Sequence, residues 1–179
     1  MPKSKGSKML PPINGNAWRF GDNISTDDII SGVHLSCPTT QEMSPFTFAN
    51  VRPEFAQKVK KNDIVVGGHN FGIGSSREEA PAVLHALGVG AIIAISFARI
   101  FFRNAYNLGL PAIEMPLLAS DSDLIRDGDQ LKIHLDEGNL LNLRTKQTLQ
   151  FTPIPSFLLD YIQAGGAIPQ LKKRLGTKE

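Results

Sequence analysis

A glycine-rich segment, residues 67–79, carries the side chains best suited to chemistry in this chain. It follows a predicted buried strand, contains four glycines, and leads into Ser75, Ser76 and Arg77. Glycine lets the backbone approach a ligand closely and adopt positive φ. The guanidinium of Arg77 is a planar fork that matches a carboxylate or a phosphate. We therefore predict an anion-binding pocket beside two serine hydroxyls, next to the positive end of the following helix.

Nucleotide-binding patterns fit this segment only in part. A dinucleotide fingerprint needs a third glycine where Arg77 stands, and a phosphate loop needs a Gly-Lys-Ser/Thr ending. A purely structural loop with a serine cap would explain the glycines and one serine. It would not explain an arginine at the positive end of a helix, where a cation is disfavoured without an anion. Nucleotide binding remains the weaker alternative.

The composition limits the class of protein. The 179 residues are enough for one domain with a real core, and we expect a single domain over residues 1–179 with a loose tail over residues 1–15. Lys and Arg total 19 against 17 for Asp and Glu, a near-balance that does not favour nucleic-acid or membrane partners. Residues 1–8 are basic but lack the apolar stretch of a secretory signal.

The chain has one cysteine, Cys37. A single cysteine cannot form an internal disulfide, so we expect a reducing compartment, the cytoplasm. One thiol also cannot hold an iron–sulfur cluster, because such clusters use several thiolates. We therefore predict no metal or cofactor site within this chain.

The elements around the glycine-rich segment predict an α/β core. Strands are expected at residues 64–66, 91–95 and 111–114, and helices at residues 78–87 and 97–108. Glycine follows each helix, so this β-α-β-α-β order predicts parallel strands with right-handed crossovers. Pro81 indicates that the first of these helices begins no earlier than about Glu78, or that its first turn lacks a hydrogen bond.

The rest of the chain predicts shorter elements. Turn-rich stretches separate three short strands at residues 131–135, 140–143 and 148–151, which read as an added antiparallel β layer. A short strand is expected at residues 17–20, an irregular segment at residues 33–50, a short helix at residues 52–61 and a closing helix at residues 155–163.

Four motifs resemble those of the swivelling β/β/α domain of the aconitase superfamily. Residues 70–78 are similar to its NFGxGSSRE signature, and residues 96–101 to its SFARIF motif. Residues 103–111 are similar to its RNA-x-N-x-GLP stretch, and residues 21–27 to its GDNI-x-TD entry motif. The length, hairpins and closing helix resemble the free-standing small subunits of isopropylmalate dehydratases.

The resemblance implies a role for each matching residue. Ser75 would be the catalytic base, an alkoxide that removes the proton beside a substrate carboxylate. Arg77 would bind a substrate carboxylate, Ser76 would support that site, and Asp27 would face the active site and bind the substrate. An ordinary hydroxyl is far too weak an acid for this task, so Ser75 would need positive neighbours and a dry site.

The resemblance also implies a partner and a cofactor. A large subunit would carry a [4Fe-4S] cluster, while this chain would supply the base and a carboxylate clamp. The substrate would be a 2-hydroxy dicarboxylic acid such as 2- or 3-isopropylmalate, dehydrated and rehydrated in leucine biosynthesis. Two alternatives remain open. One is a related dehydratase for a dimethylmalate-, homoaconitate- or citraconate-like acid, and the other is a non-catalytic anion-binding module.

One loop departs from the family pattern. His34, Leu35 and Ser36 stand where related enzymes commonly carry a tyrosine-leucine-arginine loop that discriminates substrates. Ser36 cannot pair with a distal carboxylate as arginine would, and a buried unpaired carboxylate is costly. We therefore expect a malate with an apolar or short side group and rejection of tricarboxylates.

Overall fold

The structure, a computed structural model, describes residues 10–121 and 123–176. Its strands are β1 (Ile13–Arg19), β2 (Ile64–Val66), β3 (Ala91–Ala94), β4 (Ala112–Glu114), β5 (Gln130–His134), β6 (Asn139–Asn142) and β7 (Gln147–Gln150). Its helices are α1 (Thr26–Ile29), α2 (Thr40–Met43), α3 (Phe55–Lys58), α4 (Glu79–Ala86), α5 (Arg99–Asn107), α6 (Ser156–Ala164) and α7 (Ala167–Leu175). Short 3₁₀ turns lie at Gly32–His34, Ser44–Phe46 and Pro116–Ala119. Within the described ranges, no helix is long and apolar enough to cross a membrane.

The strands form one mixed sheet in the order β4-β3-β2-β1-β5-β6-β7. The β1–β2, β2–β3 and β3–β4 pairs are parallel, and the β1–β5, β5–β6 and β6–β7 pairs are antiparallel. Strand β1 joins the two halves, because its last three residues pair with β2 and its first four pair with β5. The predicted α/β class is confirmed, and the antiparallel addition continues the parallel core through β1.

Strand β1 begins earlier than the sequence indicates. The sequence predicts a strand from residue 17 and a loose chain before it, but residues 13–15 already pair with β5. Gly15 explains the difference, because a Cβ there would lie 2.0 Å from the backbone oxygen of Asn62. This residue is glycine because two backbones meet, not because the chain turns. The predicted tail is therefore wrong for residues 13–15, and its residues 1–9 lie outside the described part.

Helix α4 begins at Glu79, just after the glycine-rich segment. Pro81 is then the third helical residue, where the backbone N–H has no partner within the helix in any case. The missing donor of proline therefore breaks no helical bond. Ser76 and Arg77 lie ahead of the helix, in the loop that leads to it.

The core lies between the parallel strands and the helices that follow them. Every residue of β2 and β3 is buried, as expected for parallel strands covered on both faces. Helix α4 buries Val83 and Leu84, and α5 buries Phe101 and Ala105. These contacts fix the starts of both helices at the edge of the sheet where β2 and β3 end.

Candidate active site

Three loops meet at the edge of the sheet where β1, β2 and β3 end. They are residues 20–25, 67–78 and 95–98. Gly68 N donates to Gly21 O at 3.0 Å, and Ile95 N donates to Gly68 O at 3.1 Å. In sheets of parallel strands, ligands bind at the carboxyl ends of the strands. The predicted site residues therefore lie at the edge of the fold best suited to binding.

The entry loop, which is residues 21–27 of the entry motif, and the glycine-rich segment run side by side. Two backbone hydrogen bonds join them, Gly72 N to Ile24 O at 2.7 Å and Thr26 N to Ile73 O at 2.8 Å. Ser25 and Ile73 also form a parallel bridge. These contacts bring Thr26 and Asp27 next to Ser75 and Arg77, although about fifty positions separate them in the sequence.

The glycines of this segment make room for protein groups. A Cβ on Gly68 would lie 1.9 Å from Asp22 Oδ1, which accepts a hydrogen bond from His69 N at 2.7 Å. Gly72 has φ of +79°, and a Cβ there would lie 2.2 Å from Cγ of Phe101. The sequence suggests that glycine serves ligand approach, but at these two positions it serves close packing of the loop.

The hydroxyl of Ser75 is presented at the surface of this loop. Ser75 and its neighbour Ser76 are both exposed. Ser75 Oγ lies 3.2 Å from Oγ1 of Thr26, a hydrogen bond in which either oxygen can donate. Thr26 itself is buried. The predicted base is thus reachable from solvent and is held from below by a buried hydroxyl.

Arg77 and Asp27 are brought together as an ion pair. Arg77 Nη1 donates to Asp27 Oδ1 and also to Ile30 O at 3.1 Å. Gly32 N donates to the same Asp27 oxygen at 3.2 Å. The hydrogen bond from Arg77, assisted by that from Gly32, lowers the pKa of the Asp27 carboxyl below its ordinary value. Both residues were predicted to face a substrate, and in this structure they face each other.

The pairing leaves part of the guanidinium free. Within the described residues, Nε and Nη2 of Arg77 make no hydrogen bond, and about a fifth of the side chain is exposed. A planar carboxylate can use two N–H groups of an arginine at once. The exposed edge of Arg77 can therefore receive an anion while Asp27 holds the other edge.

The predicted specificity loop begins directly at this ion pair. A Cβ on Gly32 would lie 3.3 Å from Arg77 Nη2, so the loop passes over the guanidinium. The His34 ring stacks on Phe46 with centroids 4.0 Å apart and planes 5° apart. Leu35 packs against the core, and Ser36 is exposed. Of the three predicted loop residues, His34 and Ser36 carry polar groups, but the contacts of this loop with the ion pair are made by Gly32.

Sequence reasoning missed Thr26 as a site residue. It sits one position before Asp27 in the entry motif, and its type and position offered a signal. That signal was incomplete, because only the fold shows the buried hydroxyl next to Ser75.

The donor set of this chain does not fit an iron–sulfur cluster. Cys37 is its one cysteine, half-buried and packed against the core. Among the residues that the structure describes, no group of three or more His, Cys, Asp or Glu side chains could hold a metal ion. A cluster of the kind expected from the family would need thiolates from another chain.

The mixed sheet and the serine–arginine–aspartate site at its parallel edge define a swivelling domain of the aconitase class. The family profile described as Aconitase C-terminal domain matches residues 22–117, which include all four motifs apart from Gly21. The chain therefore belongs to the aconitase C-terminal domain family and, as its relatives show, to the 3-isopropylmalate dehydratase small subunits within it.

The relatives match nearly the whole chain. A 3-isopropylmalate dehydratase small subunit of Methanosarcina acetivorans is 47% identical over 166 residues, or 93% of this chain and 100% of that protein. An isopropylmalate/citramalate isomerase small subunit of Methanocaldococcus jannaschii is 42% identical over 167 residues, 93% and 98% of the two chains. A crystal structure of 3-isopropylmalate dehydratase (LeuD) from the same organism has a TM-score of 0.84 at 38% identity, covering 92% and 95%.

Proposed function

We propose that this chain is the small subunit of a two-chain hydro-lyase that isomerises a 2-hydroxy dicarboxylic acid of the isopropylmalate type. The observation that carries the proposal is the exposed hydroxyl of Ser75, held by Thr26 in the same loop as Arg77, at the carboxyl edge of the parallel strands. The names of the relatives support the same reaction class.

In the proposed reaction, Ser75 takes a proton from the carbon next to a substrate carboxylate. The free edge of Arg77 binds that carboxylate, and Ser76 supports it from the same loop. Asp27 keeps the guanidinium oriented through the hydrogen bond already present. The proton stays on Ser75 Oγ and returns to the neighbouring carbon position when water is added back in the other direction.

The site of this chain is incomplete by itself. Asp27 offsets the charge of Arg77, and Ser75 is open to solvent, so little positive field acts on its hydroxyl. An alkoxide needs a dry site with positive neighbours. We infer that a large partner subunit closes over this edge and supplies both conditions. The [4Fe-4S] cluster would belong to that partner and would supply Lewis-acid chemistry for the departing hydroxyl.

Exposed apolar side chains near the site fit a covering partner. Val33, Phe46 and Ile73 are exposed, and each lies on or beside the loops that carry the site. Burial of such side chains is the main favourable contribution to most protein association. The single cysteine further supports a reducing compartment, the cytoplasm, as the place of action.

The loop of His34 and Ser36 favours a substrate with an apolar side group. It has no arginine to pair with a third carboxylate. A second candidate is an acid with a smaller group, citramalate, because one relative is named an isopropylmalate/citramalate isomerase subunit. Values of kcat/KM for isopropylmalate, citramalate and a tricarboxylate separate these possibilities. A preference for the tricarboxylate would overturn this interpretation of the loop without touching Ser75.

The test of the proposed base is Ser75→Ala in the enzyme reconstituted with its large subunit. We expect kcat to fall by about 10²–10⁴-fold, the usual contribution of a general base. Assembly and the cluster should be retained, because only one hydroxyl is removed. Thermal unfolding of the variant measures the cost of leaving the buried Thr26 hydroxyl without its partner. Ser120→Ala is the matched control, since Ser120 is an exposed serine whose hydroxyl bonds Leu117 O instead. A Ser75→Ala enzyme with near wild-type kcat would refute the assignment.

A further inference from the structure

We propose that Thr26 is a positioning residue for Ser75, whose hydroxyl aims the serine and donates a hydrogen bond to its oxygen when that oxygen is ionised. This inference rests on the proposed function, because it concerns the base named there. The geometry behind it is the 3.2 Å contact between Thr26 Oγ1 and Ser75 Oγ. Neither the shared motifs nor the names of the relatives assign Thr26 a role.

The buried hydroxyl of Thr26 has few groups available as hydrogen-bond partners. The residue is 2% exposed, so water does not compete for it. Within the described residues, Ser75 Oγ is the partner of Thr26 Oγ1. A buried hydroxyl that lacked a partner would be costly, so this hydrogen bond is strongly favoured. Thr26 therefore fixes where the Ser75 oxygen sits.

The backbone holds Thr26 firmly in this position. Its N–H donates to Ile73 O at 2.8 Å, and its carbonyl accepts from Ile30 N at 3.0 Å. The preceding Ser25 caps helix α1 in a reciprocal arrangement with Asp28. Threonine is also branched at Cβ, which restricts its side-chain rotation. The hydroxyl is thus attached to a residue whose backbone N–H and C=O are both hydrogen-bonded.

Gly74 leaves room beside the Thr26 hydroxyl. A Cβ on Gly74 would lie 3.2 Å from Thr26 Oγ1, and the residue has φ of +114°. A side chain there would press on the threonine hydroxyl and strain the backbone. The glycine before the base therefore preserves the contact that orients it.

When Ser75 is ionised, the hydrogen bond between the two side chains has one possible direction, from Thr26 to Ser75. An ionised Ser75 can only accept a hydrogen bond, so the Thr26 hydroxyl must then be the donor. The proton from the substrate carbon moves to Ser75 Oγ, while Thr26 keeps its own proton throughout. Hydrogen bonds to charged groups are stronger than neutral ones, so the contact stabilises the ionised base more than the neutral one. Thr26 thus increases the fraction of Ser75 that is ionised, the form that takes the proton, without touching the substrate.

The test compares Thr26→Val with Thr26→Ser in the reconstituted enzyme. Valine keeps the shape and removes the donor, and serine keeps the donor. We expect kcat to fall by about ten- to a hundredfold in Thr26→Val, with KM little changed. Thr26→Ser should recover most of the loss. The kinetic isotope effect with substrate deuterated at the carbon that loses its proton should increase in Thr26→Val, because proton removal becomes slower.

Measurements of thermal stability and of assembly distinguish a positioning role of Thr26 from a structural one. Thr26→Val leaves Ser75 exposed to water, so it strands no buried polar group, and thermal unfolding and association with the large subunit should match wild type. A Thr26→Val enzyme with wild-type kcat and isotope effect, measured alongside an inactive Ser75→Ala enzyme, overturns this inference alone. An active Ser75→Ala enzyme overturns the proposed function itself. Equal losses in Thr26→Val and Thr26→Ser would mean a packing role and also contradict the inference.

Discussion

The guanidinium of Arg77 has two edges with different tasks. One edge makes hydrogen bonds within the chain, to Asp27 and to the carbonyl of Ile30. The other edge makes no hydrogen bond among the described residues, and we assign it to the substrate carboxylate. An arginine can serve both edges at once because its donors are fixed in one plane. A lysine has a single ammonium group and cannot keep this division.

Replacement of Arg77 by lysine tests that division. In Arg77→Lys the ammonium should follow Asp27, so the substrate carboxylate loses its partner. We expect KM to increase and kcat/KM to fall by about tenfold to a hundredfold, as for loss of hydrogen bonds to a charged group. Steady-state kinetics of the reconstituted enzyme measure both constants. Arg174→Lys, at an exposed arginine on α7 outside the four motifs, is the matched control. Unchanged KM in Arg77→Lys would exclude Arg77 as a carboxylate ligand.

At the scale of single elements, close contacts with neighbouring helices and turns hold the site loops in place. The glycine-rich segment approaches α5 so closely that Gly72 lies against the Phe101 ring. The stacked rings of His34 and Phe46 likewise join the 3₁₀ turn Gly32–His34 to the turn Ser44–Phe46. The site loops thus take their positions from neighbouring elements, because they contain little regular structure of their own.

Gly72→Ala should separate packing from backbone strain. Gly72 and Gly128 share φ of +79°, but a Cβ on Gly72 would meet Phe101 at 2.2 Å while a Cβ on Gly128 meets nothing within 4 Å. Gly128→Ala therefore measures strain alone, of order 1–2 kcal/mol. We expect Gly72→Ala to lower the free energy of unfolding by a further 1–3 kcal/mol or so, from overpacking. Denaturant unfolding of both variants gives the difference, and equal losses would contradict the packing role of Gly72.

The elements near the site were largely predictable, and their long-range contacts were not. Apolar runs bounded by glycine identified β2, β3 and β4 with α4 and α5, because parallel strands and their crossover helices leave strong local patterns. The start of β1 was hidden, since Gly15 reads as a turn until Asn62 is seen against it. Helix α7 was missed because two adjacent glycines of positive φ separate it from α6.

The long-range contacts of the site were likewise not predictable from the sequence. The motifs predict Ser75, Arg77 and Asp27 as neighbours of one substrate. The structure pairs Arg77 with Asp27 and places Ser75 against Thr26, the residue before Asp27. They could not show that Arg77 pairs with Asp27, or that Thr26 lies under Ser75. Both contacts join residues about fifty positions apart, and only the alignment of the entry loop with the glycine-rich segment creates them.

At the scale of the whole molecule, an ion pair with a buried carboxylate ties together the loops that flank β5 and β6 in the antiparallel half. Asp129 is nearly buried and accepts from Arg144 Nε at 2.6 Å, from Asn142 Nδ2 at 2.7 Å and from Arg126 N at 2.9 Å. Burial alone would raise the pKa of Asp129, but these hydrogen bonds outweigh it and lower the pKa to about 2. The carboxylate therefore stays ionised in the fold under acid conditions that would protonate it in the unfolded chain.

This ion pair predicts how stability changes with pH. Because the pKa of Asp129 is lower in the fold than its ordinary value of 3.8, the ionised group stabilises the fold fully above that value. The stabilisation is lost as the pH falls from about 3.8 toward about 2. Denaturant unfolding across this range should show the loss in the wild-type chain and a weaker pH dependence in Asp129→Asn. Parallel curves for the two proteins would show that Asp129 does not contribute.

The proposed division of labour between the two subunits predicts the properties of the isolated chain. It should be colourless and inactive, because its one thiol, Cys37, cannot replace the several thiolates of a cluster. Its exposed Ser75 also lacks the dry, positive surroundings that an alkoxide needs. Visible absorbance with iron and sulfide analysis tests the first point. Activity before and after addition of the large subunit tests the second, with the large subunit alone as the control. A stoichiometric cluster or turnover in the isolated chain would show that the site is complete without a partner, and the proposed assembly would have to be abandoned.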